Sequence, residues 1–150
     1  HSSMVFDHHE TKEISAELLG DDGNATETIR HADIVSFVCL KAFALDQRHE
    51  RKDAHDLVYC LEHYEGGPEA AAKAFAAALD GKHGKAVDTA LNILSKRFAD
   101  DGNSQGYLKY GPVAVAKFEL GDEAETREAR VLRQRGASEL VMRLVRGAGR

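Results

Sequence analysis

The chain has 150 residues, with 20 Lys and Arg against 25 Asp and Glu, and the formal net charge of −5 argues against a dedicated duplex-DNA binder, which carries a strong basic footprint. Only 2 prolines and 43% hydrophobic residues, rich in Ala and Leu, exclude collagen-like, mucin-like and disordered chains and predict a mainly α, single-domain protein. Two cysteines are too few for a disulfide framework, no apolar run reaches the ~18 residues that span a bilayer, and no signal peptide is recognisable, so a cytoplasmic protein without a membrane partner is expected.

His1-Ser2-Ser3 ahead of Met4 resembles a tag remnant, which leaves residues 4–150 as one domain. The expected fold class is mainly α with a small β part (α+β): a short N-terminal β-hairpin over 5–31, then a helical bundle over 33–150 built around a central αα-hairpin. Residues 12–19 alternate imperfectly between polar and apolar. Asp21-Asp22-Gly23-Asn24 is a turn cluster, and 25–30 is Thr-rich enough for a return strand. Asp33 is the expected N-cap of a helix from Ile34 to Leu45, which is apolar on most of its circumference and therefore expected at the centre of the fold.

The polar link around Gln47-Arg48-His49-Glu50-Arg51 predicts a tight connection between helix 34–49 and helix 52–64, the latter with Leu57, Cys60, Leu61 and Tyr64 at helical spacing. Gly66-Gly67-Pro68 stops it and starts helix 68–80, with Phe75 and Leu79 apolar. Helix 85–98 presents Val87, Leu91, Leu94 and Phe98. Residues 100–111 read as a loop. Residues 112–118 are open between strand and helix, because the valines alternate while Pro112 suits a first helical turn; helix is favoured. The last helix is expected over 122–147, with Val131, Leu132, Leu140, Leu144 and Val145 apolar and a kink at Gly136. Cys39 and Cys60 lie in apolar helical stretches and read as buried reduced thiols.

The densest polar cluster runs from Lys41 to Asp56. Lys41 and Arg48 are seven apart and share a helix face, as do Asp53 and Asp56 at a spacing of three. An αα-hairpin brings Lys41 towards Asp56 and sets Arg48 or Lys52 beside Asp53. Two readings follow. One is an ion-pair network that locks the hairpin. The other is a binding site, suggested by a lysine embedded in apolar sequence where burial costs free energy unless a partner or ligand compensates. His8-His9 with Asp7 and Glu10 is the best local metal-like cluster, but it has no zinc-finger or HExxH spacing. GxGxxG and GxxxxGK[ST] are absent from the sequence.

The run Leu40-Lys41-Ala42-Phe43-Ala44-Leu45-Asp46-Gln47-Arg48-His49-Glu50-Arg51-Lys52-Asp53-Ala54-His55-Asp56-Leu57 resembles nucleotidyltransferases of the AbiEii/AbiGii toxin-like group, which carry Lys, then Arg, then Lys/Arg-Asp-x-x-Asp-Leu across two helices. Gly111-Pro112-Val113-Ala114-Val115-Ala116-Lys117-Phe118 is similar to a Gly-Pro-x-x-x-Ala-x-Phe segment of some members. The likeness covers roughly residues 30–120, and its specific motif is confined to 41–57.

The resemblance implies the helical C-terminal part of a nucleotidyltransferase, with a nucleoside triphosphate as substrate, Mg²⁺ as cofactor and RNA or protein as acceptor. Lys41 would contact the triphosphate, Arg48 and Lys52 would support anion binding, and Asp53 and Asp56 would orient them or the substrate. The family's Gly-Ser and Asp-x-Asp motifs are missing from this sequence. That implies a partner in the form of a catalytic half or a cognate antitoxin, or else a stand-alone remnant. Asp7, after Val5-Phe6, would take the place of a third, metal-binding carboxylate. The alternative is a non-catalytic helical binding or regulatory module in which Lys41 and the aspartates are only a structural lock.

Overall fold

A computed structural model describes residues 23–150, with side-chain surroundings from Ile34 onward. Among these residues there are six α-helices and no strand: α1 Gly23–Arg48, α2 Arg51–His63, α3 Gly67–Leu79, α4 Gly84–Phe98, α5 Tyr110–Leu120 and α6 Arg127–Gly147. Short 3₁₀ turns at Gly106–Leu108 and Ala124–Thr126 precede α5 and α6. The β element expected over 5–31 lies outside the described residues as far as residue 22, and 23–31 run as the first turns of α1. Asp33 therefore sits within α1 instead of capping it. No proline or glycine interrupts residues 24–48, and extending a helix is favourable once it is nucleated.

Each helix buries one face at helical spacing. Ile34, Val38, Ala42 and Leu45 are the buried stripe of α1, and Ala54, Leu57, Val58 and Leu61 that of α2. Helix α4 contributes Val87, Ala90, Leu91, Leu94 and Phe98, all nearly or fully withdrawn from water. Full burial of the Val, Leu, Ile and Phe side chains among them stabilises by about 1.5–3 kcal/mol each, before conformational entropy is set against it.

The centre is not α1. Helices α2 and α4 each pack against α1, α3, α5 and α6, whereas α1 packs mainly on α2, α3 and α4 and leaves Phe37, Leu40 and Phe43 half-buried. From Ile34 to Leu45 helix α1 is apolar around most of its surface, and Val35, Leu40 and Phe43 pack against the core beside the buried stripe. Gly66 and Gly67, at φ of 91° and 72°, make the left-handed turn that reverses the chain from α2 to α3, with Pro68 in the first turn of α3.

Residues 112–118 lie within α5, in line with the proline signal. Helix α6 begins at Arg127, later than expected, because Gly121 at φ 82° turns the chain and a 3₁₀ turn follows. It then runs unbroken through Gly136 to Gly147, so no break occurs there. Leu132 is not core: it is 74% exposed, since the buried face of α6 is Gln134, Ala137, Ser138, Val141, Leu144 and Val145. Cys39 is buried on α1 and Cys60 is half-buried on α2.

Helix α5 docks on α4 where Gly111 meets the Phe98 ring, and a Cβ added at Gly111 would stand 2.5 Å from Phe98 Cε2. The ring is fully buried and has no room to retreat. Gly111→Ala is expected to destabilise the fold by about 1–3 kcal/mol, measured as a lower urea midpoint with an unchanged m-value.

Candidate functional site

The connection between α1 and α2 is two residues, His49 and Glu50. His49 adopts the left-handed conformation at φ 56°, and its N–H donates to Leu45 C=O at 3.0 Å, closing α1. This conformation is uncommon for a residue with a side chain, although histidine is among the more tolerant types. Two contacts from α5 hold it: the Tyr110 hydroxyl donates to His49 C=O, and the two rings meet edge to face at 5.2 Å. Glu50 is extended and its C=O accepts from Asp53 N–H at 3.1 Å, starting α2.

The tight turn folds the two helices so that their charged residues converge. Lys41 Nζ lies 3.0 Å from Asp56 Oδ2 and 3.4 Å from Asp53 Oδ1. Arg48 Nη2 donates to both Asp53 oxygens, at 2.9 and 2.8 Å. Lys52 Nζ reaches Asp56 Oδ2 at 2.6 Å from one turn away on α2. The cluster expected from the sequence is thus assembled in full for Lys41, Arg48, Lys52, Asp53 and Asp56. Asp7 and the His8-His9 pair lie outside the described residues.

The members differ sharply in exposure. The Asp53 side chain is 4% exposed, Asp56 19% and Lys41 24%, while Arg48 and Lys52 stand 61% and 66% exposed. Asp53 lies in the first turn of α2, where the helix dipole favours a negative charge. Lys41 also approaches the Phe37 ring, 5.7 Å from its centroid. Burial alone would raise the carboxyl pKa of Asp56. Hydrogen bonds from Lys52 and Lys41 and the charges of both more than offset this and hold it below the ordinary carboxylate value.

Further polar links radiate from α2. Arg51 reaches Asp122 at 3.2 Å. Arg133 of α6 is gripped by Glu62 of α2 and Glu119 of α5, each with contacts of 2.7 Å, and the two carboxylates raise its pKa. His55 Nδ1 lies 2.9 Å from Glu119 Oε2, and its ring faces Phe118 at 4.7 Å. Tyr59 and His63 stack at 4.0 Å along the same face of α2. Burial pushes Glu119 up, but hydrogen bonds from Arg133 and His55 leave it below its usual value. Tyr110, Glu119 and Arg133 carry no local signal of these roles, because their partners lie 61–71 residues away in His49 and Glu62, or on another helix.

Asp56 and Glu119 have carboxyl groups depressed in the folded state, so each stabilises the fold above the unfolded pKa of about 4 and loses that contribution as pH falls through the lower folded value. Urea midpoints are expected to hold from pH 7 to 5 and to decline below about pH 4, with a shallower decline in Asp56→Asn. At pH 7, Asp53→Asn is expected to cost about 2 kcal/mol, more than Asp56→Asn, because it leaves Arg48 and Lys41 facing a site withdrawn from water.

Comparison of the chain with protein-family models, with curated proteins and with solved structures returns no match.

Proposed function

We propose that the α1–α2 hairpin is the nucleotide-phosphate-binding part of a nucleotidyltransferase-like protein of the AbiEii/AbiGii toxin-like kind. The observation that carries this reading is the charge imbalance of the cluster. Lys41, Arg48 and Lys52 share two carboxylates, Asp53 and Asp56, and the excess positive charge is borne on the exposed side chains of Arg48 and Lys52. A triphosphate approaching this edge meets cations already held in place. Phosphoryl-type transfer asks a protein mainly for positioning and for positive charge beside the phosphates.

In this reading Lys41, Arg48 and Lys52 are the phosphate-facing groups, and Asp53 and Asp56 are positioning residues that hold the cations in register. Mg²⁺ does not fit at these two aspartates. Both carboxylates accept hydrogen bonds from ammonium or guanidinium groups, which repel a divalent cation. The metal-binding carboxylates of such a reaction belong outside the described residues, with Asp7 the candidate in this sequence. A catalytic half or cognate antitoxin is the corresponding partner, and RNA or protein the acceptor.

A second reading has its own support: Asp53 is nearly sealed from water and each charge of the cluster is engaged within the hairpin, as an ion-pair lock in a binding module requires.

Calorimetric titration with nucleoside triphosphates separates the two. The first reading expects saturable binding, weakened roughly tenfold by Lys52→Ala with little change in melting temperature, and lost in Lys41→Ala. It also expects no transfer of labelled nucleotide to RNA or protein by this chain with Mg²⁺. Absence of triphosphate binding, together with a clear drop in melting temperature for Lys41→Ala, establishes the lock instead.

A further inference from the structure

Away from the hairpin, the loop between α4 and α5 is fixed onto α6 by polar groups. Ser138 Oγ, buried, donates to Phe98 C=O at 2.6 Å, and Gln134 Nε2 donates to Tyr107 C=O at 2.9 Å. Asp100 Oδ1 accepts from Gly106 N–H at 2.6 Å. The fit is close: a Cβ at Gly106 would stand 2.1 Å from Phe98 O. Between this loop and α6 lies a groove of about 460 Å³, within the ~300–1,000 Å³ range of small-molecule sites.

Two arginines of α6 line the groove, and they are paired unlike most others. Arg48, Arg51, Arg97, Arg133, Arg143 and Arg150 each meet a carboxylate. Arg135 instead lies over the Tyr107 ring, 3.9 Å from its centroid, although Glu139 is one helical turn away. Arg146 touches the Met142 sulfur at 3.6 Å. Among the described residues neither has a carboxylate within 4.0 Å. The ring covers one side of the Arg135 guanidinium, and the exposed side is left to stack on a ligand. Arg146, on the same side of α6 at the far end of the groove, offers a planar fork of donors suited to a phosphate or carboxylate.

The geometry points to this groove as a binding site for a small flat-ringed molecule that carries one anionic group, phosphate or carboxylate. The ring stacks on Arg135, and the anionic group takes Arg146. Asp100 and Glu139 also line the groove and balance the two arginines. That balance selects a single anionic group over a polyphosphate, which sets this site apart from the cation-rich hairpin.

The test uses the Lys52→Ala variant, so that the most exposed cation of the hairpin does not contribute. It is titrated with adenosine monophosphate and with indole-3-butyrate, in which a flexible link sets the phosphate or carboxylate apart from a flat ring. Saturable 1:1 binding of either is expected, weakened roughly tenfold by Arg135→Met and by Arg146→Met. The better binder identifies the anionic group. Adenosine and inorganic phosphate, each lacking half the ligand, are expected to bind at least tenfold more weakly than adenosine monophosphate. Both arginines are exposed, so the variants are expected to melt with the parent. Binding of neither probe, or binding that both substitutions leave unchanged, overturns the proposal. Triphosphate binding by the unmodified chain tests the hairpin separately, so the two readings fail independently.

Discussion

A carboxylate almost sealed from water must be compensated or give up its charge, and Asp53 is compensated from three directions. Arg48 donates to both of its oxygens, Lys41 approaches from the middle of α1, and the first turn of α2 adds the positive end of its dipole. Since Arg48 is the last residue of α1, the chain must double back within two residues to bring its guanidinium to Asp53. That requirement explains the left-handed backbone at His49, which in turn requires the Tyr110 hydroxyl and ring to hold it. The charge of one side chain thus sets the geometry of a turn and reaches a helix more than fifty residues further along.

The remaining polar contacts act in the same manner at lower density. Arg97 grips Asp46 and ties α4 to α1, while Arg133 bridges Glu62 and Glu119 and so joins α2, α5 and α6. Individually, such partly exposed pairs contribute little, often less than about 1 kcal/mol. Their effect is orientation: they fix the rotation of helices whose apolar stripes would otherwise pack in several registers. The buried Ser138 and Gln134 do the same for the loop ahead of α5.

The sequence was most legible where interactions are local. The αα-hairpin and its charged cluster followed from helical spacing and a short polar connection, since Lys41, Arg48, Lys52, Asp53 and Asp56 all lie within sixteen positions. Proline at the start of α5 was a sound guide over the valine alternation, because its missing N–H is harmless in a first turn. Elsewhere tertiary context decides. The apolar circumference of α1 suggested a central helix, yet α1 packs mainly on three helices where α2 and α4 each pack on four. Leu132 is apolar by type, but the angle that buries Gln134 and Ser138 turns it outward. Tyr110 and Arg133 carry no mark in sequence, because what defines them is a partner on a distant segment.

The hairpin cluster spans separations of 4 to 15 residues, whereas its external fastening through Tyr110 spans 61 and the Arg133–Glu62 bridge spans 71. Closing a loop costs more entropy as it lengthens, and native contacts that are near in sequence assemble sooner. The charged hairpin is therefore the natural early structure of this chain, with its cations and carboxylates paired while α5 and α6 are still unattached. Pairing the cluster already turns His49 left-handed, and Tyr110 holds it there once α5 is attached. In a growing chain, the cation cluster would be complete some fifty residues of synthesis before the turn beneath it is secured.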